Sequence, residues 1–227
     1  MIHAIGTTLP IITAIMISPI PMVGLIVVIT SKRGPAKSVA YGMGFFAALW
    51  LTAFLLGEIG QDMMGGSGSA GASSTLGSLI HAVVGAILLV VGCVVLIKHI
   101  RNTSPPTEPL WMKTLDSASI LPVFGLGGLL ALVNPKNLPL IISATVDYSQ
   151  ASLSTVQLAI VVTVLAAVGS LLIFLPVVLV HLARKRSARL CAKMRPWLVA
   201  HNAAILAAVC LIVGAALLGK ALAAGVL

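Results

Sequence analysis

Three observations predict an all-α polytopic membrane protein of six crossings. Only 8% of the 227 residues are charged and 59% are apolar, whereas a soluble domain carries about 25% Asp, Glu, Lys and Arg. Charge-free stretches reach 19–36 residues, and about 20 helical residues suffice to cross a hydrocarbon core of about 30 Å. The few charges gather in short segments between those stretches. This composition excludes a water-soluble enzyme, a disordered chain and a secreted disulfide scaffold. A β-barrel is excluded because its strands alternate polarity over about 10 residues.

Each span follows from its own boundaries. The first covers residues 2–31 and is closed by Thr30, Ser31, Lys32 and Arg33; with no Lys or Arg before it, a cleaved signal peptide is not expected. The second runs over 38–60, and the Gly/Ser-rich stretch 65–74 after it reads as a linker. The third is 76–98. Pro105, Pro106 and Pro109 break any helix in the polar stretch that follows. The fourth, fifth and sixth spans are 118–147, 153–183 and 196–222, with the basic run Arg184 to Arg195 read as the loop between the last two. The chain divides into a first three-helix repeat at 1–98, a cytoplasmic linker at 99–117 and a second three-helix repeat at 118–227.

Charge sets the expected orientation. Twelve of the 14 Lys and Arg residues follow spans one, three and five, while Glu58, Asp62, Asp147 and Lys220 lie towards the other side. Positive charge marks the cytoplasmic side, so both termini are expected outside. The net charge of +9 thus records topology rather than a nucleic-acid surface. Cys93 and Cys210 fall inside spans and Cys191 in the basic run, so no disulfide framework is expected.

Spans one and four are too long for one crossing, since about 30 helical residues measure about 45 Å. Each contains a breaker about 17 residues from its start: Ser18-Pro19-Ile20-Pro21 and Asn134-Pro135-Lys136-Asn137. The two spans cross in opposite directions, so the halves are expected to be inverted repeats with helices 1 and 4 broken. Pro-interrupted spans at matching positions of inverted halves point to a transporter's binding site. Ser and Asn favour the N-cap and Pro the first helical position, so Ser18/Pro19 and Asn134/Pro135 are each expected to start a helix within the membrane. Helix starts attract anions through unpaired N–H groups, and Lys136 adds a full positive charge. Lys136 either faces substrate at membrane depth or snorkels to the outer interface near Asp147.

Other polar positions give weaker signals. Glu58 and Asp62 share a helix face at i,i+4 and, with Asp147, are the candidates for proton or ion coupling, with His81 near them. His201 and Asn202, one turn inside span six, are candidates for lining an inner vestibule. The basic run serves as a topology determinant or holds anionic lipid head groups. Metal-ligand spacings, Walker or Rossmann glycine patterns and nucleophile constellations are absent from the sequence, so neither an enzyme nor a cofactor is expected.

Three motifs resemble a known family. Ser18-Pro19-Ile20-Pro21 with Ser31-Lys32-Arg33-Gly34 and Gly42/Gly44, the run Leu130-Ala131-Leu132-Val133-Asn134-Pro135-Lys136-Asn137, and Trp197-Leu198-Val199-Ala200-His201-Asn202-Ala203-Ala204-Ile205 are similar to the GAP (glycolipid-addressing protein) family. That family is placed in the LysE-type exporter superfamily, which shares an Asn-Pro signature and a six-helix plan. The resemblance implies movement of envelope glycolipids or related anionic amphiphiles across a bacterial inner membrane, beside a larger lipid exporter. The residues and the resemblance together lead to the expectation of an inner-membrane transporter or flippase working by alternating access. Its expected partners are membrane lipids, an anionic lipid or amphiphile substrate and a second copy of the chain in a homodimer. A LysE-like exporter of a small soluble anion or amino acid, and a non-transporting accessory subunit of a lipid exporter, remain the alternatives.

Overall fold

The computed structural model describes residues 2–65, 70–101, 118–151 and 153–224. Helices account for nearly all of them: α1 (Ile2–Met16), α2 (Pro19–Thr30), α3 (Gly34–Gly65), α4 (Ala70–Arg101), α5 (Ile120–Leu132), α6 (Asn137–Gln150), α7 (Thr155–Gly169), α8 (Leu171–Leu182) and α9 (Arg184–Ala223). The long apolar helices α3, α4 and α9 each supply one span. The other three spans are bent pairs, with angles of 51° between α1 and α2, 68° between α5 and α6, and 60° between α7 and α8. Six membrane-spanning segments result, and the first and fourth are broken as their length and prolines require. Most of the linker expected at 99–117 lies outside the described residues, as do residues 66–69 of the Gly/Ser-rich stretch.

Outward faces are apolar. On α4, Val83, Ile87, Val90, Val94 and Ile97 are exposed at alternating spacings of four and three, which is one stripe of an α-helix. A stripe of this kind on the surface is solvated by lipid. The interior is also apolar, centred on Tyr41, Phe45 and Leu49 of α3, Leu140 and Ile141 of α6, and Leu158 of α7, all fully buried.

The two halves meet along α4 and α9. A Cβ built on Gly85 would lie 2.9 Å from the carbonyl oxygen of Gly214 and 3.0 Å from Leu218; one built on Gly214 would lie 2.9 Å from the carbonyl of Gly85 and 3.0 Å from Leu89. The contacts are reciprocal, since Leu89 and Leu218 each stand four residues beyond their own glycine. Gly92 faces Leu211 and Ala207, so the helices run antiparallel. Reciprocal contact between antiparallel helices defines a local two-fold axis perpendicular to both, which lies in the membrane plane. That is the symmetry of inverted repeats.

Two sequence expectations need correction. The fifth span has a break of its own, at Gly169–Ser170, where an unbroken crossing was expected. Gly/Ser pairs are a recognised cause of sharp kinks, and this one lies within 31 residues as long as either span split by proline. The run Arg184 to Arg195 is not a loop but the first part of α9. Its Arg, Lys, Ala, Leu and Met residues all favour helix, so the last span continues without interruption into its basic end.

Candidate functional site

The breaks of spans one and four meet at the centre of the molecule. Ser18 is the N-cap of α2, with Pro19 at the first helical position as expected. Its hydroxyl does not cap that helix; it turns back to donate to the Ile15 carbonyl at 2.7 Å. At the second break the expected helix start is displaced by two residues. Asn137 opens α6 and Lys136 occupies the N-cap. Residues Asn134 to Asn137 instead form a turn, closed by the Asn137 N–H to the Asn134 carbonyl at 3.0 Å. Asn at the first position and Pro at the second suit such a turn. The Asn134 side chain accepts from the Lys136 N–H at 3.4 Å.

This displacement changes the register of the repeats. Ser18-Pro19-Ile20-Pro21 aligns with Lys136-Asn137-Leu138-Pro139, so the equivalent of Ser18 is Lys136 and not Asn134. Those two N-caps touch each other, with the Lys136 Nζ donating to Ser18 Oγ at 2.9 Å. The ammonium also donates to the carbonyl of Ala14, to Asn137 Oδ1 at 3.0 Å and towards the Ile15 carbonyl at 3.4 Å. Lys136 is fully buried, so it does not snorkel. Its positive charge sits against the carbonyl end of α1, where a helix presents about half a negative charge. Asn137 performs the matching task for the fourth span, donating from Nδ2 to the Ala131 carbonyl of α5 at 2.8 Å. Both half-helices that end in the membrane thus have donors on their terminal carbonyls.

The helix starts offer little to an anion. In α2, Pro19 and Pro21 have no N–H and the Ser18 N–H bonds the Met16 carbonyl, leaving Ile20 alone. In α6 the N–H groups of Lys136 and Asn137 bond Asn134 and Pro139 has none, leaving Leu138. A helix start normally offers four such donors; here each offers one. Positive charge at the breaks therefore resides in Lys136, and every strong acceptor it now holds belongs to the protein.

The third break joins the same place. Ile15 Cγ2 would lie 3.2 Å from a Cβ on Gly169, so the kink of span five rests on the last turn of α1, whose carbonyls hold Lys136. The excess length of span five, its Gly169-Ser170 pair and Pro176 just beyond were the available signals, and the sequence reading used none of them. Nor did it find the Ala14 and Ile15 carbonyls, which have no side-chain signature.

The remaining candidates lie elsewhere. His201 is exposed, stacks on Trp197 at 4.7 Å and bonds its carbonyl. Asn202 is half-buried. Among the described residues, the side-chain hydrogen bonds of Ser18, Lys136 and Asn137 run to one another and to Ala14, Ile15 and Ala131, and none to His201 or Asn202. The structure therefore does not bring His201 or Asn202 to the breaks. Asp62 is exposed and Glu58 half-buried. Asp147 is buried and bonded to Lys220 of α9, with His81 of α4 at 3.6 Å. Lys220, a residue to which sequence reasoning gave no role, is thus tied to one of the coupling candidates. Among the described residues no group of three or more His, Cys, Asp and Glu side chains has the geometry to hold a metal ion.

A family model described as "Sap, sulfolipid-1-addressing protein" matches residues 9–223. No curated protein and no solved structure matches the chain.

Proposed function

The chain belongs to the sulfolipid-1-addressing protein family, and from that premise we propose that it is an inner-membrane transporter or flippase that carries an anionic amphiphile by alternating access. The family's name points to a sulfolipid, and we take a sulfated or otherwise anionic glycolipid as the substrate class. We also propose that the family belongs among LysE-type exporters, a reading that the six spans and the Asn134-Pro135 turn support. Both termini are assigned to the outside, because the Lys and Arg residues crowd the other end.

The observation that carries this reading is the placement of Lys136. An ionisable side chain at membrane depth is by default a candidate functional residue, and this one lies where the N-caps of α2 and α6 meet. Three of its four acceptors are borrowed from the first half, Ala14, Ile15 and Ser18, and the fourth is its neighbour Asn137. When the halves part on one side, the ammonium loses those acceptors and an anionic head group takes their place. Ile20 and Leu138 add one N–H each, and the apolar outer faces accommodate the acyl chains in lipid. With no nucleotide motif in the chain, the driving force is an ion gradient or a partner exporter.

The test is a charge series at position 136, read by binding of a sulfated glycolipid to the protein in nanodiscs. Losing one charge-assisted contact of about 1.5–3 kcal/mol corresponds to roughly ten- to a hundredfold in affinity. Lys136→Met is expected to weaken binding by that factor, Lys136→Arg by less and Lys136→Glu by more. Equal binding by all three folded variants and the native chain would sink the mechanism.

A further inference from the structure

A second group of charges lies away from the breaks, towards the end of the bundle where the chain begins and ends. Asp147 on α6 accepts from Lys220 of α9 through Oδ1, and His81 of α4 points Nε2 at the same oxygen from 3.6 Å. The three side chains differ in exposure: Asp147 and His81 are 4% and 3% accessible, but Lys220 is 42%. Two atoms of the cluster are buried without a hydrogen-bond partner, Asp147 Oδ2 and His81 Nε2. Buried polar atoms are nearly always bonded, and 3.6 Å is too long for a hydrogen bond. A carboxylate and an imidazole therefore face each other across a gap too long for a hydrogen bond.

We infer that Asp147, His81 and Lys220 form a proton-binding site that operates the gate at this end of the transporter; this rests on the transport reading above. Asp147 and Lys220 belong to the second half of the chain and His81 to the first. With His81 neutral, Asp147 pairs with Lys220 inside its own half. A proton on Nε2 creates an imidazolium that competes with the ammonium for Oδ1, and the carboxylate changes partner to the other half. That exchange loosens Lys220, whose partly exposed side chain is free to swing into water, and with it the hold of α9 on α6.

The surroundings leave the proton few other places. Tyr148 is next to Asp147 on α6 and close to Thr8 of α1. Neither α1 nor α5 carries an Asp, Glu, Lys or Arg, and the titratable residue of α1 is His3 in its first turn. From α3, Glu58 and Asp62 face this end; Glu58 Oε1 is buried without a partner and Asp62 is exposed. Among the described residues neither is hydrogen-bonded or ion-paired to the three. Of the three side chains His81 alone comes from the first half, so the switch is set by the residue that bridges the halves.

The experiment uses the full chain in nanodiscs, with Cys93, Cys191 and Cys210 replaced by Ala. Spin labels are attached to Ile59→Cys and Leu222→Cys, exposed positions of α3 and α9 at this end. Pulsed-dipolar distances at pH 5.5 and 8.5 are expected to show two populations whose ratio changes at least fivefold. His81→Gln should abolish the change, while Asp147→Asn and Lys220→Met should give the open population at both pH values. If Asp147→Asn does not fold, Lys220→Met and His81→Gln carry the test, since Lys220 is half-exposed and Gln is close to His in size. A pH-independent ratio in the native background, or a His81→Gln variant that responds like it, overturns the inference. The readout needs no substrate: a pH-driven switch with no glycolipid binding retires the transport reading alone, and glycolipid binding dependent on Lys136 with no switch retires only the proton site.

Discussion

Lys136 is legible from sequence as an isolated charge in an apolar span, but its environment is not. The residues that hold it are two backbone carbonyls, a serine and its own neighbour Asn137. Backbone acceptors become available only because α1 stops at Met16, and no side chain announces which carbonyls will be left over. Asn137 gives the sharpest test at this scale, because its two ends do different things: Oδ1 accepts from Lys136 and Nδ2 donates to Ala131. Asn137→Asp keeps the shape, loses the donor and places a carboxylate beside the ammonium. The ion pair neutralises Lys136 internally, so glycolipid binding should fall at least tenfold even though Lys136 is intact. Asn137→Leu removes both bonds and leaves the charge free. Its stability should fall by roughly 1–3 kcal/mol through the exposed carbonyl and the less satisfied ammonium, as read by unfolding in detergent, while binding is kept better than in Asn137→Asp. The opposite ranking in binding would mean that Lys136 is a structural cap and not the anion's partner.

Helices are where sequence reasoning succeeded most and where its errors are most instructive. The breaks at Ser18 and Asn134 were visible because proline cannot donate. Their register was not, because Pro135 is spent on a turn and the helix waits for Asn137. Pro21 and Pro139, at the third position of α2 and of α6, carry the true correspondence. The reciprocal glycines were also invisible, since a glycine in a span says nothing of what approaches it. Their role is now testable through packing. Gly85→Ala and Gly214→Ala each place a methyl group 2.9 Å from the other's carbonyl oxygen, and overpacking of this kind costs about 1–3 kcal/mol. Symmetry demands that the two costs be similar, and their sharing of one contact demands that the double variant cost less than the sum. Gly219→Ala on the same helix has open space around it and should be neutral or stabilising by up to about 1 kcal/mol. Thermal unfolding of the four variants decides it; unequal single costs would place the local axis elsewhere.

At the scale of the whole molecule, the six spans alternate in direction, so the start of α1 and the end of α9 lie at one end with Asp147 and Lys220, while Lys32, Lys98 and the basic start of α9 lie at the other. The reciprocity of Gly85 and Gly214 fixes the relation of the halves without reference to either side of the membrane. Orientation is a separate matter that rests on charge, and cysteine labelling of intact cells tests it. Native Cys191 is a poor reporter because it is buried, so the three native cysteines are replaced and single cysteines introduced at exposed positions of opposite ends: Asp62 near the end of α3 and Lys32 between α2 and α3. An impermeant maleimide added outside should label Asp62→Cys and leave Lys32→Cys unlabelled until the cells are opened. If Lys32→Cys labels first, the molecule is inverted in the membrane. The proton site would then open to the cytoplasm, so that acid would have to arise inside the cell to operate it, and an outward proton gradient would serve import instead of export. The meeting of Ser18 and Lys136 would be untouched by that result, because it is fixed by the contact between the two halves and not by the side that either faces.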